Sequence, residues 1–418
     1  MKVLHLATHD IGEGAARGAY WLHSSLLAQG VDSSMLVARK SSDDPTVFGP
    51  ESTLAKFLIR VRGRLDGLLT TRYRVDNFTM FSPSRIPTRV HSAVERFDPD
   101  IVHLHWVCNG FLNPADIARI KSPIVWTMRD MWPFTGGCHY SQECDKYLQA
   151  CGACPHLNST REMDLSRRVW EFKRNAWSNR EIHPIAISSW LADCAKRSSL
   201  FGRYPVQVIP NAIDETVFKP TEKTVARRAM DLPLDRKIVL FGSLGGTTYP
   251  RKGFDHVLGA CRILAARGWG DSTLLVVFGA EESQPAKNLG MESRFLGRFE
   301  DDEALSLLYS AGDVMLVPSI QEAFGKTAIE AMGCGTPVVS FDTSGLKDIV
   351  DHRINGFRAR CFEDEDLALG IEWILEDERR RVVLSKKCRE KVSREFTLEK
   401  HSERYIRIYT DLLKGEKG

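Results

Sequence analysis

Two carboxylates and two adjacent cations are the groups in this chain whose types and settings could do chemistry. Glu322 and Glu330 lie in the stretch 313–340, where the apolar run Val314–Val317 stops at Pro318-Ser319. A helical stretch opens at Phe324-Gly325 and closes at Gly333 and Gly335, and a second buried run, Pro337–Ser340, follows. This strand, turn, helix and strand form a βαβ unit. Glu322 falls in the turn and Glu330 about two helical turns further in, near a helix N-terminus whose N–H groups can hold a phosphate. In a chain with 27% charged residues, such a pair alone also describes solvated surface. Upstream, Pro250-Arg251-Lys252-Gly253-Phe254 follows the buried run Lys237–Gly242 and brings two cations to another helix N-terminus. Cations and N–H dipoles acting together make a diphosphate clamp; solvated cations are the alternative.

A second group of residues could hold a metal. Cys138, Cys144, Cys151 and Cys154 gather four of the ten cysteines in one short segment, with His139 and His156 adjacent. Tetrahedral Zn²⁺ takes four such soft ligands, and Cys151-Gly-Ala-Cys154 has the spacing of a zinc knuckle. The expected metal is structural, stapling a loop too polar to fold alone; a disulfide pair or a buried thiol cluster is the alternative reading. His103 and His105 share one face of the strand around 100–106 by alternation. They are read as hydrogen-bonded structural residues before a metal pair, with His105 the better active-site candidate because it is nearer the strand's C-terminal end.

The elements that position these groups follow from the apolar pattern. Val3–Ala7, the loop Gly12-Glu-Gly14-Ala-Ala-Arg17-Gly18 and an amphipathic stretch to Gln29 make strand, glycine loop and helix. That loop can bring amides to a phosphate or sugar, or can be a tight turn packing helix on sheet; its spacing is not the dinucleotide fingerprint. Strands alternate with helices throughout, the α/β pattern. Val206-Gln-Val-Ile209-Pro210-Asn211-Ala-Ile-Asp214 marks a domain boundary, with charged, structure-poor sequence expected from there to Arg236. Domains are expected at 1–205, carrying a Cys-rich insertion at 136–157, and at 206–397.

Residues 54–74 mix six cations with one acid and recurrent large apolar residues. They read either as a basic amphipathic helix on an anionic membrane surface or as a solvated helix packing its apolar stripe on the domain; Gly63 and Gly67 weaken the helix. A net charge of +3 gives no signal for nucleic acid. The N-terminal apolar run is too short for a signal peptide, and no stretch approaches the roughly 18 apolar residues of a membrane span. The expectation is a cytoplasmic chain with reduced thiols.

The string Pro318-Ser-x-x-Glu322-x-Phe-Gly-x-x-x-x-Glu330-Ala-Met-x-x-Gly-Thr-Pro-Val-Val resembles the signature of retaining, nucleotide-sugar-dependent glycosyltransferases of family 4. The resemblance implies the GT-B fold, two Rossmann-like domains facing each other across a cleft, with a terminal helix, here 398–415, crossing back onto the first domain. It implies donor sugar contacts for Glu322, ribose contacts for Glu330, phosphate contacts for Lys252, and donor-side places for Gly12, Gly14, Phe324, Gly325, Ser344 and Gly345. Arg298 lies in the turn after Gly297, which by resemblance flanks the nucleotide base. Relatives commonly carry an Arg where Ser243 stands, so Arg251 is expected to take over that charge. Relatives that build bacterial exopolysaccharides and O-antigens show Trp-Thr-x-His-Asp-x-Trp where this chain has Trp126-Thr-Met-Arg129-Asp130-Met-Trp. Arg129 replaces the His with a permanent charge and a five-donor fork, and is expected to favour an acidic group on donor or acceptor.

The expected enzyme moves a sugar to a hydroxyl of a saccharide or lipid-linked saccharide, with Glu322, Lys252, Arg251 and Arg129 as its reacting-centre residues and no catalytic metal. A sugar-nucleotide epimerase of the same fold would instead turn over donor without acceptor; a member that only binds is the third reading.

Overall fold

The computed structural model describes residues 1–12, 14–75, 80–242, 245, 247–280 and 289–415. It divides into two compact units: Met1–Pro210 with the segment from Glu399 on, and Asn211–Leu398.

In the first unit the chain runs β1 (Lys2–His9), α1 (Gly14–Ala28), β2 (Asp32–Arg39), β3 (Val47–Phe48), α2 (Thr53–Leu68), α3 (Val90–Phe97), β4 (Ile101–Leu104), α4 (Pro114–Arg119), β5 (Ile124–Met128), α5 (Leu165–Trp177), β6 (His183–Ala186), α6 (Ser189–Arg197) and β7 (Gln207–Val208). Runs such as Ile-Val-His-Leu in β4 and Ile-Val-Trp-Thr-Met in β5 are buried on both faces, as in a parallel sheet covered by helices on each side. The seven strands pair in parallel in the order β3-β2-β1-β4-β5-β6-β7.

The second unit holds α7 (Lys223–Ala229), β8 (Lys237–Gly242), α8 (Phe254–Leu264), β9 (Thr273–Phe278), β10 (Glu292–Phe295), α9 (Asp302–Ala311), β11 (Val314–Val317), α10 (Lys326–Gly333), β12 (Val338–Phe341), β13 (Gly356–Ala359), α11 (Asp364–Leu375) and α12 (Glu378–Glu395). Its parallel sheet has the order β10-β9-β8-β11-β12-β13. Each sheet therefore reverses direction once, between β1 and β4 and between β8 and β11. Open α/β sheets bind ligands beyond the strand ends at such a reversal.

The last helix, α13 (Leu398–Gly415), supplies Tyr405 and Tyr409 to the core formed by Val3, Ile101, Val125 and Ile185 of the first unit. Both phenols are fully buried and both are satisfied: Tyr409 Oη pairs with His103 Nδ1 at 2.6 Å and Tyr405 Oη with Thr127 Oγ1 at 2.7 Å.

Two local expectations are corrected. The segment after Asp214 is not structure-poor throughout, because α7 forms there. Its Arg227 is buried and donates to Asp313 Oδ2 at 2.7 Å and to the Ala311 carbonyl at 3.1 Å, so tertiary bonding overrides a weak local pattern. Gly63 does not break α2 but lets it approach the 108–111 loop: a Cβ there would stand 2.7 Å from Asn109 Oδ1. Asp66 holds the same helix down, accepting bonds at 2.8 Å from the Ser84 and Arg85 amides.

Candidate functional site

In the second unit the reversal between β8 and β11 brings together loops that are about 70 residues apart in the chain. Gly253 caps α8 with φ at +75°, and a Cβ on it would lie 2.0 Å from the Pro318 carbonyl oxygen, so the start of α8 sits directly against the end of β11. The Ile320 amide donates to the Arg251 carbonyl at 2.8 Å, and the Arg251 guanidinium donates to the Gln321 carbonyl at 2.6 Å. This pairing sets Lys252 Nζ 2.7 Å and Arg251 Nη1 3.3 Å from the same oxygen, Glu322 Oε2. Ser344 and Gly345 close over the other side: the Ser344 hydroxyl accepts from the Glu322 amide and the Gly345 amide donates to the Glu322 carbonyl, both at 2.9 Å.

The group is sheltered but reachable, with the Lys252 side chain 22% and the Glu322 side chain 13% exposed. Burial alone would raise the Glu322 carboxyl; Lys252 first and Arg251 second overcome this and hold it down at about 2. Burial pushes the Lys252 ammonium below its ordinary value, and Glu322 opposes that push. A carboxylate pinned in its ionised form is a poor proton carrier. It is suited to accepting hydrogen bonds from hydroxyls. The two cations stand at the N-terminus of α8, where backbone dipoles add positive potential.

Glu330 lies inside α10, buried, accepting from Tyr309 Oη at 2.9 Å and facing Lys326 Nζ at 3.4 Å. Gly325 caps α10 with φ at +115°, and Phe324 is buried edge-on against Phe396. Arg298 stands exposed beyond β10, and no hydrogen bond or ion pair among the described residues joins it to Glu322. Ser243 lies outside the described residues. Tyr309 and Lys326 went unnoticed in the sequence; the i,i+4 spacing of Lys326 and Glu330 was the available signal.

In the first unit the candidates lie at the β1/β4 reversal and the end of β5. Gly12 is exposed with φ at +120°, and Gly14 opens α1. Asp10, not singled out from the sequence, accepts from the amides of Ser41 at 3.0 Å and Ser42 at 2.8 Å, fixing the start of that loop. His105 is buried: its Nε2 shares a hydrogen bond with His5 Nδ1 at 2.9 Å, its ring stacks on His103 at 4.2 Å, and Arg129 Nη2 donates to its Nδ1 at 3.2 Å. Burial first, and neighbouring positive charge second, hold His5, His103 and His105 well below the ordinary imidazole value. Arg129 is itself buried, which lowers it to about 10. Gly18 leaves room for it, since a Cβ there would meet Nη1 at 2.8 Å. Asp130 turns the chain from β5 into the insertion, accepting from the Trp132 amide at 2.8 Å and pairing with His139 Nδ1 at 2.6 Å.

Comparison with known proteins bears on what these two sheets belong to. Residues 12–217 match the family "Glycosyltransferase Family 4" and residues 222–391 the family "Glycosyl transferases group 1". A D-inositol 3-phosphate glycosyltransferase of Saccharomonospora viridis is 30% identical over 335 residues, covering 76% of this chain and 72% of that protein. One from Mycobacterium leprae is 29% identical, covering 84% and 77%. Among solved structures, sucrose-phosphate synthase from Thermosynechococcus elongatus aligns with a TM-score of 0.67 at 20% identity, covering 99% of this chain and 100% of that one. Alr3699/HepE of Anabaena, solved in complex with UDP and glucose, aligns at 0.68 and 18%, covering 98% and 100%. The structural likenesses give the GT-B α/β fold, and with the sequence matches across both units they lead to one conclusion: the chain belongs to the group 1 glycosyltransferases of family 4 and is a glycosyl-transferring enzyme.

Proposed function

We propose that this enzyme is a retaining transferase that moves a sugar from a nucleoside diphosphate donor to a hydroxyl of a saccharide or lipid-linked saccharide, in the assembly of a bacterial surface polysaccharide. The observation that carries the reading is the convergence of Lys252, Arg251 and Glu322 at the β8/β11 reversal. In the proposed reaction the bond from the sugar's anomeric carbon to the diphosphate oxygen breaks, and its electron pair leaves with the diphosphate. Lys252 and Arg251 face the charge that develops there, where preorganised electrostatics contribute most. The acceptor oxygen bonds to the anomeric carbon on the same face, and its proton passes to the departing phosphate oxygen, so no protein nucleophile is needed. Ionised Glu322 accepts from donor sugar hydroxyls and Glu330 from the ribose hydroxyls. The UDP and glucose bound by the similar Anabaena protein support a donor of this class.

The test is a panel of nucleotide sugars read first by thermal shift, since a ligand of the native state raises Tm. The stabilising donor is then assayed for transfer, with product configuration read by NMR. An α-configured donor is expected to give an α-linked product; an inverted linkage, or no Tm rise with any donor, refutes the reading.

The lipid-linked acceptor and a place on the inner face of the cell membrane rest on α2. No helix among the described residues is long and apolar enough to cross a membrane. Yet α2 leaves Leu54 67% and Phe57 59% exposed, with Leu58, Leu65 and Leu68 also outward, beside exposed Lys56, Arg60 and Arg64. Apolar and cationic side chains together suit an anionic membrane surface. On its inner side Ile59 and Arg62 line a mostly apolar pocket with Leu36, Val37, Val90 and Phe111, suited to a lipid chain with an anionic head near Arg62. At about 1 kcal/mol per cation, changing Lys56, Arg60 and Arg64 to Glu is expected to weaken binding to anionic liposomes by at least roughly 10²-fold. Unchanged co-sedimentation refutes membrane contact through α2.

A further inference from the structure

Cys138, Cys144, Cys151 and Cys154 all line one small pocket in the first unit. All four are free thiols, and all but Cys144 are buried. The segment that carries them has little regular structure: among the described residues it holds short 3-10 turns at Lys146–Leu148 and Pro155–Leu157 and a single bridge from Cys138 to Phe81.

The surroundings are those of thiolate ligands. The Gly136 amide donates to Cys151 Sγ at 3.1 Å, and Gly136 must be glycine, because a Cβ there would stand 2.6 Å from Cys151 Cβ. The Leu157 and Ser159 amides both donate to the Cys154 carbonyl at 3.1 Å, folding the chain into a tight turn just after the Cys-x-x-Cys pair. Lys146 lines the same pocket, its ammonium donating to the carbonyls of Gly152 at 3.0 Å and Ala153 at 2.8 Å. Both neighbouring imidazoles are otherwise engaged: His139 with Asp130 and Ser82, and His156 with the Ser141 carbonyl at 3.1 Å. Four sulfurs with no nitrogen or carboxylate donor among them select a soft, tetrahedral ion.

We propose that Cys138, Cys144, Cys151 and Cys154 bind one Zn²⁺ as a structural tetrathiolate centre. Four S–H bonds break, four Zn–S bonds form, and the four protons leave to solvent. The sulfurs are not at ligand spacing already. Among the described residues, the group of three or more His, Cys, Asp or Glu ligand atoms lying within 4.8 Å of one another is His5, His103 and His105. Binding must therefore turn the cysteine side chains inward. The imidazole trio is the poorer site, because both His103 nitrogens are engaged by Tyr409 and Thr127 and the Arg129 guanidinium lies 3.2 Å from His105.

The experiment is metal analysis of the full chain purified without chelator, expected to find one zinc per chain. Cys151→Ser and Cys154→Ser are expected to abolish it, while Cys361→Ser, an exposed thiol outside the cluster, keeps it. If the cluster variants fail to fold, the wild type carries the test: cobalt exchanged for zinc is expected to give thiolate charge-transfer and tetrahedral ligand-field absorption, and stripping the metal is expected to lower Tm. Folded wild type without metal whose Tm ignores added zinc overturns the proposal. Disulfides between cluster cysteines, found by alkylation and mass spectrometry, overturn it equally.

Discussion

Lys252→Ala is expected to leave a folded protein whose turnover falls by at least about 10²-fold, the usual cost of removing one preorganised donor from a charge that develops in the transition state. The side chain is 22% exposed and among the described residues its ammonium pairs with Glu322, so truncation opens no core cavity. Glu322 keeps Arg251 at 3.3 Å and the Ser319 hydroxyl at 3.4 Å, enough to hold the carboxylate in place. The loss should therefore appear in kcat with Tm nearly unchanged, and Lys252→Arg should recover part of it by restoring the charge. Near-normal turnover in Lys252→Ala would remove the diphosphate clamp from the proposed mechanism.

Gly253→Ala should do more damage than the size of a methyl group suggests. At φ +75° an Ala already costs roughly 1–2 kcal/mol for entering the left-handed region, and here the new Cβ meets the Pro318 carbonyl oxygen at 2.0 Å. Backbone cannot rotate away as a side chain can, so α8 and the end of β11 must separate. A destabilisation of about 3 kcal/mol or more is expected, at the upper end for a point substitution. Activity should also be lost in the folded fraction, because Lys252 and Glu322 move apart. Gly297→Ala is the control: it has φ +66° and nothing within 4 Å of where its methyl would stand, so only the conformational cost of about 1–2 kcal/mol applies. Equal destabilisation of the two variants in urea unfolding would sink the argument from close approach.

The strand, turn and helix of 313–340 were legible because each boundary carries its own chemistry. Pro318 stops β11, and Gly325, at φ +115°, starts α10 where a side chain would be strained. The resemblance sets Lys252 and Glu322 on one donor, but their direct ion pair was not legible, since it depends on β8 pairing with β11 and on two loops bonding across that junction. Gly63 misled because a glycine inside a helix reads as a weakness until its neighbour is known; Gly110 lies so close that a Cβ on it would meet the Gly63 amide nitrogen at 2.6 Å. The fate of Arg129 was equally hidden. From the sequence it reads as a fork facing an acidic group on donor or acceptor; that it is enclosed with His105 and Gly18 depends on segments far apart in the chain.

The tyrosines of α13 have a consequence for the order of events during synthesis. Tyr405 and Tyr409 complete a core whose other walls, Val3, Ile101, Val125 and Ile185, leave the ribosome first. All of 211–398 is translated in between. At 5–20 residues per second that interval is roughly 10 to 40 s. During that time the first sheet is made, with His103 Nε2 and the Thr127 hydroxyl already able to pair, but its apolar face and His103 Nδ1 lack the two tyrosines that cover them, so the nascent chain is a natural client for chaperones.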